Sequence, residues 1–594
     1  MLSMGAHITE SGEILFRVFA YNRKKVSLVV KRNGHERVIP MTQEEEHIYT
    51  TVLERGEPGL LYKFRLDDEG EFPDPYSHYQ PEGVHGFSQV IDHRNYQWQD
   101  DNWTGKNLEE LIIMEIHVGT FSPEGTFEGV TKRLDYLKEL GVNAIELMPI
   151  VQTPGRWNWG YDIANLFSVN HNYGTPYDLK RLVDACHQRQ IAVILDVVYN
   201  HFGPEGNYLP LYGPYLTKKH QTPWGMAVNY DDSFSIFTRK MVLDNVRYWL
   251  DTYHIDGLRL DAVHAIKDNS PIHILQEIAI VTRNLSLEKR RHKFLIAESD
   301  ENNSRLINAL DKGGYGIDAQ WMDDFHHCIH TLLTGESDGY YIDYGRLEDL
   351  EKVFKNYLYT GQCSRYWGKK RGTDASQNPG KQFIVAIQNH DQIGNRAFGD
   401  RLATLVEFPF LKAAAALMFF SAYVPMIFMG EEYGEKNPFL FFTDYQDPEL
   451  QKNVSKGRKE EFRKFGWRDT PDPQDPETFY RSKLTPSDQW SEENWQLLRY
   501  YKDLIGLRLS HPVLKKLDKH NLKVRVNNST RLVEIVRWRG NLKLTGLFNL
   551  GTQTVPLTNH PGKQIFNSEW RIYGGDQEGE TRFLRKGQVL IIES

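Results

Sequence analysis

Three apolar runs in this chain each end on an acid: Gly257-Leu-Arg-Leu-Asp-Ala-Val263, Phe294-Leu-Ile-Ala-Glu-Ser299 and Ile387-Gln-Asn-His-Asp391. A short stretch of Leu, Ile, Val and Ala is the pattern of a strand covered on both faces. An acid is costly to bury alone, so Asp261, Glu298 and Asp391 need surroundings that satisfy them. Parallel strands with acids at their C-terminal ends are how a (β/α)8 barrel builds the mouth of its active site.

The rest of the chain supplies the strands such a barrel needs. At 594 residues it exceeds what one hydrophobic core holds. Over residues 101–514 the rhythm is strand, loop, helix, with candidate strands at 111–116, 144–148, 192–197, 257–260, 294–297, 318–322, 383–387 and 424–429. Val130, Leu134, Leu137 and Leu140 recur at helical spacing between them, as do Leu179, Leu182, Val183 and Cys186. The expected fold is α/β, a (β/α)8 TIM barrel with long loop insertions. A doubly wound open sheet is the competing arrangement, but it wants a glycine-rich phosphate turn after the first strand, and Glu115-Ile-His-Val-Gly119 is not one.

Residues 1–100 read as an N-terminal β-sandwich with strands at 14–20, 26–31, 47–54 and 61–68. In the last of these Tyr62, Phe64 and Leu66 alternate with Lys63, Arg65 and Asp67. Pro73, Pro75 and Pro81 space a linker into the barrel. Residues 515–594 read as a C-terminal β-sandwich, with strands expected at 523–526, 532–538, 542–547, 570–573 and 589–593. The proline- and acid-rich stretch 469–475 is expected to be a surface loop.

Composition narrows the function. A net charge of −8 leaves no basic footprint for nucleic acid. The longest apolar stretch, 411–429, is broken by Lys412, Ser421 and Pro425, so no membrane span is expected. The chain's start carries neither a basic nor an apolar leader segment. Its 3 cysteines, Cys186, Cys328 and Cys363, lack metal-ligand spacing, which fits a soluble protein of a reducing cytoplasm with no metal site.

Carboxylates converging on one pocket suit glycosidic bond cleavage, which needs a proton donor and a second carboxylate. Arg259 stands two positions before Asp261, on the same side of a strand, and favours the charged form a nucleophile needs. Glu298 has no base beside it in sequence, so partial burial would let it keep a proton as a general acid must. Asp391 closes a polar cluster with Asn389 and His390. In Asp196-Val-Val-Tyr-Asn-His201, Asp196 and Asn200 suit holding a loop, and His201 suits donating to a sugar hydroxyl. Trp159-Gly-Tyr-Asp162 sets Tyr161 where a ring stacks on a pyranose. Each cluster taken singly also reads as a structural ion pair or a packed core side chain; together they favour one pocket.

The runs 196–201, 257–262, 297–299 and 389–391 resemble, in order, the four signature regions of the α-amylase family of glycoside hydrolases, family 13. That resemblance implies a retaining mechanism with Asp261 as nucleophile, Glu298 as acid/base and Asp391 stabilising the transition state through substrate hydroxyls. It also implies that Tyr161, His201, Arg259 and His390 line the sugar site, that no cofactor or metal takes part, and that the first sandwich is Ig-like and carbohydrate-binding-module-like. Within the family, the runs 74–86, 114–127, 199–208, 319–327 and 388–396 look like those of the maltooligosyltrehalose trehalohydrolases. The implied substrate is maltooligosyl trehalose, cut at the α-1,4 bond next to its terminal trehalose, and the implied pathway partner is a maltooligosyltrehalose synthase. Departures at Ile163-Ala-Asn165 and around His220 bear on loop detail. On the leaving-group side the candidates are Trp224, Asp324, Phe325 and His326. The rival readings are another α-glucan enzyme on the same barrel, such as a glycogen branching enzyme, and a non-catalytic glucan-binding protein.

Overall fold

The structure is a computed structural model and describes residues 4–54, 56–463, 470–557 and 560–594. Eight parallel strands close into a barrel: β1 Ile113–Ile116, β2 Ala144–Leu147, β3 Ala192–Val197, β4 Gly257–Leu260, β5 Phe294–Ala297, β6 Ala319–Trp321, β7 Phe383–Val385 and β8 Val424–Phe428. Closure is made where β1 meets β8, with Ile113 opposite Met426, and it rules out the open doubly wound sheet.

Along every strand alternate residues turn inward. The lower interior is filled by Ile113, Ala144, Ala192, Ile194, Phe294, Ile296, Ala319, Ile384, Val424 and Met426. Two residues further along the same parity stand polar groups: Glu115 on β1, Glu146 on β2, Asp196 on β3 and Arg259 on β4. The barrel is thus apolar at its base and charged towards its C-terminal end.

The N-terminal domain is two facing sheets. One orders Gly5–Ile8, Ile14–Phe19, Ile48–Leu53 and Thr42–Glu45; the other is centred on Val26–Arg32 and Leu61–Leu66. Phe16 of the first meets Tyr62 of the second edge-on at 4.9 Å. The C-terminal domain holds a five-stranded sheet, Leu522–Asn527, Leu532–Arg539, Leu542–Asn549, Val589–Glu593 and Lys563–Asn567, beside the pair Val555–Pro556 and Phe583–Leu584.

One expectation needs correcting. Residues 570–573 form no strand: Tyr573 N–H bonds back to Trp570 C=O, and Gly574 at φ 81° closes a 3₁₀ turn over Arg571–Tyr573. The strand expected there is supplied instead by Lys563–Asn567. Residue 469 of the expected surface loop lies outside the described residues; residues 470–475 form no helix or strand, with Asp475 exposed and Pro473 C=O accepting from Thr443 N–H.

Candidate active site

The site is built around Arg259. Its inward side chain is fully buried and lies 4.2 Å over the Trp321 ring. One guanidinium nitrogen, Nη1, donates to Asp196 Oδ1 at 2.9 Å, Asp196 Oδ2 at 2.8 Å and Asp261 Oδ1 at 2.7 Å. The other terminal nitrogen, Nη2, faces Glu298 Oε2 at 3.7 Å, beyond hydrogen-bond length. One cation therefore stands between the carboxyls that end β4 and β5.

Asp261 is held at its other oxygen by Asn200, whose Nδ2 donates to Oδ2 at 2.8 Å and to the main-chain carbonyl at 2.7 Å. Immediately after it the chain turns through Ala262 at φ 38°, a left-handed conformation that costs a residue with a Cβ about 1–3 kcal/mol. The turn aims Ala262 N–H at Glu298 Oε2, 2.6 Å away, so β4 grips the end of β5.

Burial pushes the Glu298 carboxyl up to about 7; Asp261 and Asp391 push the same way, and Arg259 opposes them. Asp196 is also pushed up to about 7 by burial, against the pull of Arg259. His390 shows the reverse balance: burial favours the neutral ring, but Glu115 and Asp391 hold the imidazolium and raise it to about 9. Glu115 Oε1 lies 2.5 Å from His390 Nδ1, and Glu115 Oε2 accepts from His390 N–H at 3.0 Å. His390 Nε2 then meets the Tyr161 hydroxyl at 2.9 Å, which donates onward to Asp196 Oδ2 at 2.6 Å.

Asp391 sits at the start of the short helix His390–Gly394, whose first N–H groups donate to the Asn389 side chain. Its side chain is the most exposed of the three acids, at 43%, against 12% for Asp261 and Glu298. Tyr161 reaches the site from a turn that demands glycine: at Gly160, φ 107°, an added Cβ would meet Pro149 O at 2.2 Å.

These groups open on one cavity of about 580 Å³, lined by Tyr161, His201, Trp224, Asp261, Glu298, His390 and Asp391 among others. His201 packs flat on Trp224, with ring centroids 4.4 Å apart and planes 6° from parallel. Among the described residues no cluster of three or more His, Cys, Asp or Glu is arranged to hold a metal ion.

Comparison with known proteins agrees with this geometry. The alpha amylase catalytic domain matches residues 73–212 and 236–516, and carbohydrate-binding module 48, the isoamylase N-terminal domain, matches residues 3–78. A solved Salmonella typhimurium structure assigned to the alpha amylases is 36% identical, covers 100% of each chain and superposes with a TM-score of 0.90. A malto-oligosyltrehalose trehalohydrolase of Saccharolobus solfataricus is 48% identical over 85% of this chain and 87% of its own. Another, from Rhizobium sp., is 44% identical over 85% of each. The chain belongs to the malto-oligosyltrehalose trehalohydrolases of the α-amylase family.

One segment of this trehalohydrolase-family chain, residues 213–235, falls outside the catalytic-domain match. It forms the hairpin Leu216–Thr222 with Gly225–Val228, and Trp224 is at its tip, 49% exposed and facing the cavity. The other leaving-group candidates lie elsewhere. Asp324 is buried and satisfied by Tyr344 Oη at 2.6 Å, Asn302 Nδ2 at 2.7 Å and Leu358 N–H at 2.6 Å. Phe325 packs in the core against Phe354 and Tyr423. His326 is buried beside His330 and His327. All three belong to the helix Asp323–Thr334, whose rotation sends them away from the cavity.

Three acids escaped the sequence reading. Asp323 continues the inward parity of Ala319 and Trp321, and burial beside Glu298 and Asp391 raises its carboxyl well above the usual range. Parity alone would have found it. Glu115 and Glu146 sit inside apolar runs, where a single acid carries no spacing signal.

Proposed function

We propose that the protein is a retaining glycoside hydrolase that cuts the α-1,4-glucosidic bond next to the terminal trehalose of maltooligosyl trehalose, releasing trehalose and a maltooligosaccharide. The observation that carries the reading is the pairing of Asp261 and Glu298 across Arg259 at one sugar-sized cavity. Family membership along most of the chain supplies the substrate class.

In the first step Asp261 attacks the anomeric carbon of the maltooligosyl unit. Glu298 passes its proton to the departing oxygen, and trehalose leaves with that oxygen. A carboxyl raised to about 7 can hold a proton near neutral pH, as a general acid must. In the second step Glu298, now a carboxylate, takes a proton from water, which attacks the same carbon and frees Asp261. Arg259 and Asn200 hold Asp261 in place through a hydrogen bond to each of its carboxylate oxygens. Asp391, protruding furthest, takes the role of binding substrate hydroxyls, with Tyr161, His201 and His390 around the same ring. Trp224 offers a flat face on the leaving-group side.

The substrate's 1,1-linked end has to be made in an earlier reaction, so a maltooligosyltrehalose synthase is the pathway partner this reading implies. Three unpaired cysteines suit a cytoplasmic setting, and among the described residues no helix is long and apolar enough to cross a membrane. Incubation with maltopentaosyl trehalose and, separately, with maltohexaose tests the reading. Trehalose from the first with the second left intact supports it. Longer chains formed from maltohexaose would instead indicate a transferase such as a branching enzyme.

A further inference from the structure

Beneath the sugar site, three inward side chains on alternate strands have polar atoms with no hydrogen-bond partner. They are both carboxyl oxygens of Glu146 on β2, Nε and Nη2 of Arg259 on β4, and Nε1 of Trp321 on β6. Each side chain is buried: Glu146 is 1% exposed, Arg259 0% and Trp321 3%. An unpaired buried polar group costs about 1–3 kcal/mol, so five such atoms on three inward side chains of alternate strands are not neutral to stability. Donors and acceptors are complementary: three hydrogen-bearing nitrogens of Arg259 and Trp321 against two oxygens of Glu146.

Glu146 and Arg259 act on one another electrostatically, yet no hydrogen bond joins them. Complementary buried groups with no direct hydrogen bond between them are what an interior water bridges, and a buried water of this kind makes about three hydrogen bonds. We propose that Glu146, Arg259 and Trp321 form an internal water site at the barrel axis, and that Glu146, acting through this water, is a positioning residue for the Arg259 guanidinium. The inference rests on the reading that Arg259 holds Asp261 and faces Glu298, and extends it one layer down.

The charged groups facing Glu146 are Glu115 from β1, Asp196 from β3, Arg259 from β4 and His390 after β7, with Asp261 and Glu298 above. Burial, aided by Glu115, raises Glu146 well above the carboxylate range, which favours its protonated form. The water then satisfies the Arg259 Nε that no side chain reaches, which fixes the rotation of the guanidinium plane and hence the angle it presents to both acids.

The test uses the full chain and two variants, Glu146→Gln, which keeps a donor and an acceptor, and Glu146→Leu, which keeps only bulk. Crystal structures with ordered solvent should show density between Glu146 and Arg259 Nε in wild type and Glu146→Gln, and none in Glu146→Leu. Kinetics on maltopentaosyl trehalose should give kcat within a few-fold of wild type for Glu146→Gln. For Glu146→Leu, kcat should fall about 10²-fold with KM little changed and the alkaline limb of kcat/KM displaced. A direct Glu146–Arg259 ion pair with no water, or a Glu146→Leu enzyme with unaltered kcat and pH profile, overturns the proposal. If Glu146→Leu fails to fold, the solvent positions in wild type and Glu146→Gln decide. A wild-type protein that releases no trehalose but holds the water would sink the functional reading and leave this site standing.

Discussion

At the lower end of β4, Asp256 is wholly buried and has a partner on every side: His187 Nε2 at 2.9 Å, Trp103 Nε1 at 2.7 Å and Val193 N–H at 2.8 Å. His187 bonds through its other nitrogen to Asp100 at 2.8 Å, which also pairs with Arg291 at 2.9 Å. Five residues later, at the upper end, Asp261 shares one arginine with Asp196, and Glu298 stands near that arginine without reaching it. Both ends bury carboxylates. Burial alone would raise Asp256, yet His187 and Lys293 hold it below its ordinary range, while Glu298 is left raised to about 7. The difference is in the number of donors: surplus below, deficit above. A barrel's base is where buried charge stabilises the fold, and its mouth is where an incomplete set of partners leaves a proton available for chemistry.

Substitutions at the two ends should therefore fail in opposite ways. Glu298→Gln should lower kcat by about 10²–10⁴-fold with KM nearly unchanged, in steady-state assays on maltopentaosyl trehalose. Asp256→Asn leaves a buried imidazolium short of a partner and should cost about 3–5 kcal/mol in denaturant unfolding, with kcat per folded molecule close to wild type. A stable Asp256→Asn, or an active Glu298→Gln, would erase the contrast.

Stability against pH separates the ends further. Glu298 binds its proton more tightly folded, near 7, than unfolded, near 4.5, so ionising it weakens the fold progressively between those values. Glu298→Gln should consequently be more stable than wild type above pH 7, and the gain should vanish below about pH 4.5, followed by Tm. His187 is raised above its ordinary 6.5 by Asp256 and Asp100 against the effect of burial, so its contribution is complete below 6.5 and lost as pH climbs through the raised value. In His187→Gln the wild-type loss of Tm on the alkaline side should flatten.

How much of this the sequence disclosed follows the same division. All eight barrel strands were legible because each is an apolar run with turns at its ends, and β4 and β5 announce their acids by terminating on them. The base cluster was not, since His187 meets Asp100 across 87 residues and Asp256 across 69, and no local pattern encodes that meeting. Asp324, Phe325 and His326 lie away from the cavity for a different reason. In Asp323-Asp-Phe-His326 the chain passes from strand to helix, and whether Asp323 or Asp324 faces the site depends on where the period of two gives way to 3.6. The short apolar run 570–573 misled because a 3₁₀ turn buries Tyr573 as well as a strand would.

The smallest expected effect concerns Trp224, which sits on the cavity's rim. Trp224→Ala should lower kcat/KM for the trehalose-ended substrate about fivefold, the worth of one aromatic face, with Tm unchanged. An equal loss on plain maltooligosaccharides would place the ring elsewhere along the glucan.

The pairing of Asp261 with Glu298 across one arginine is tested most directly by the anomeric configuration of the maltooligosaccharide set free. Proton NMR in the first minutes of reaction, before mutarotation, should find the α-anomer accumulating ahead of equilibrium, as two displacements at one carbon require. A β-anomer appearing first would mean a single displacement by water, and Asp261 could not then be the group that attacks.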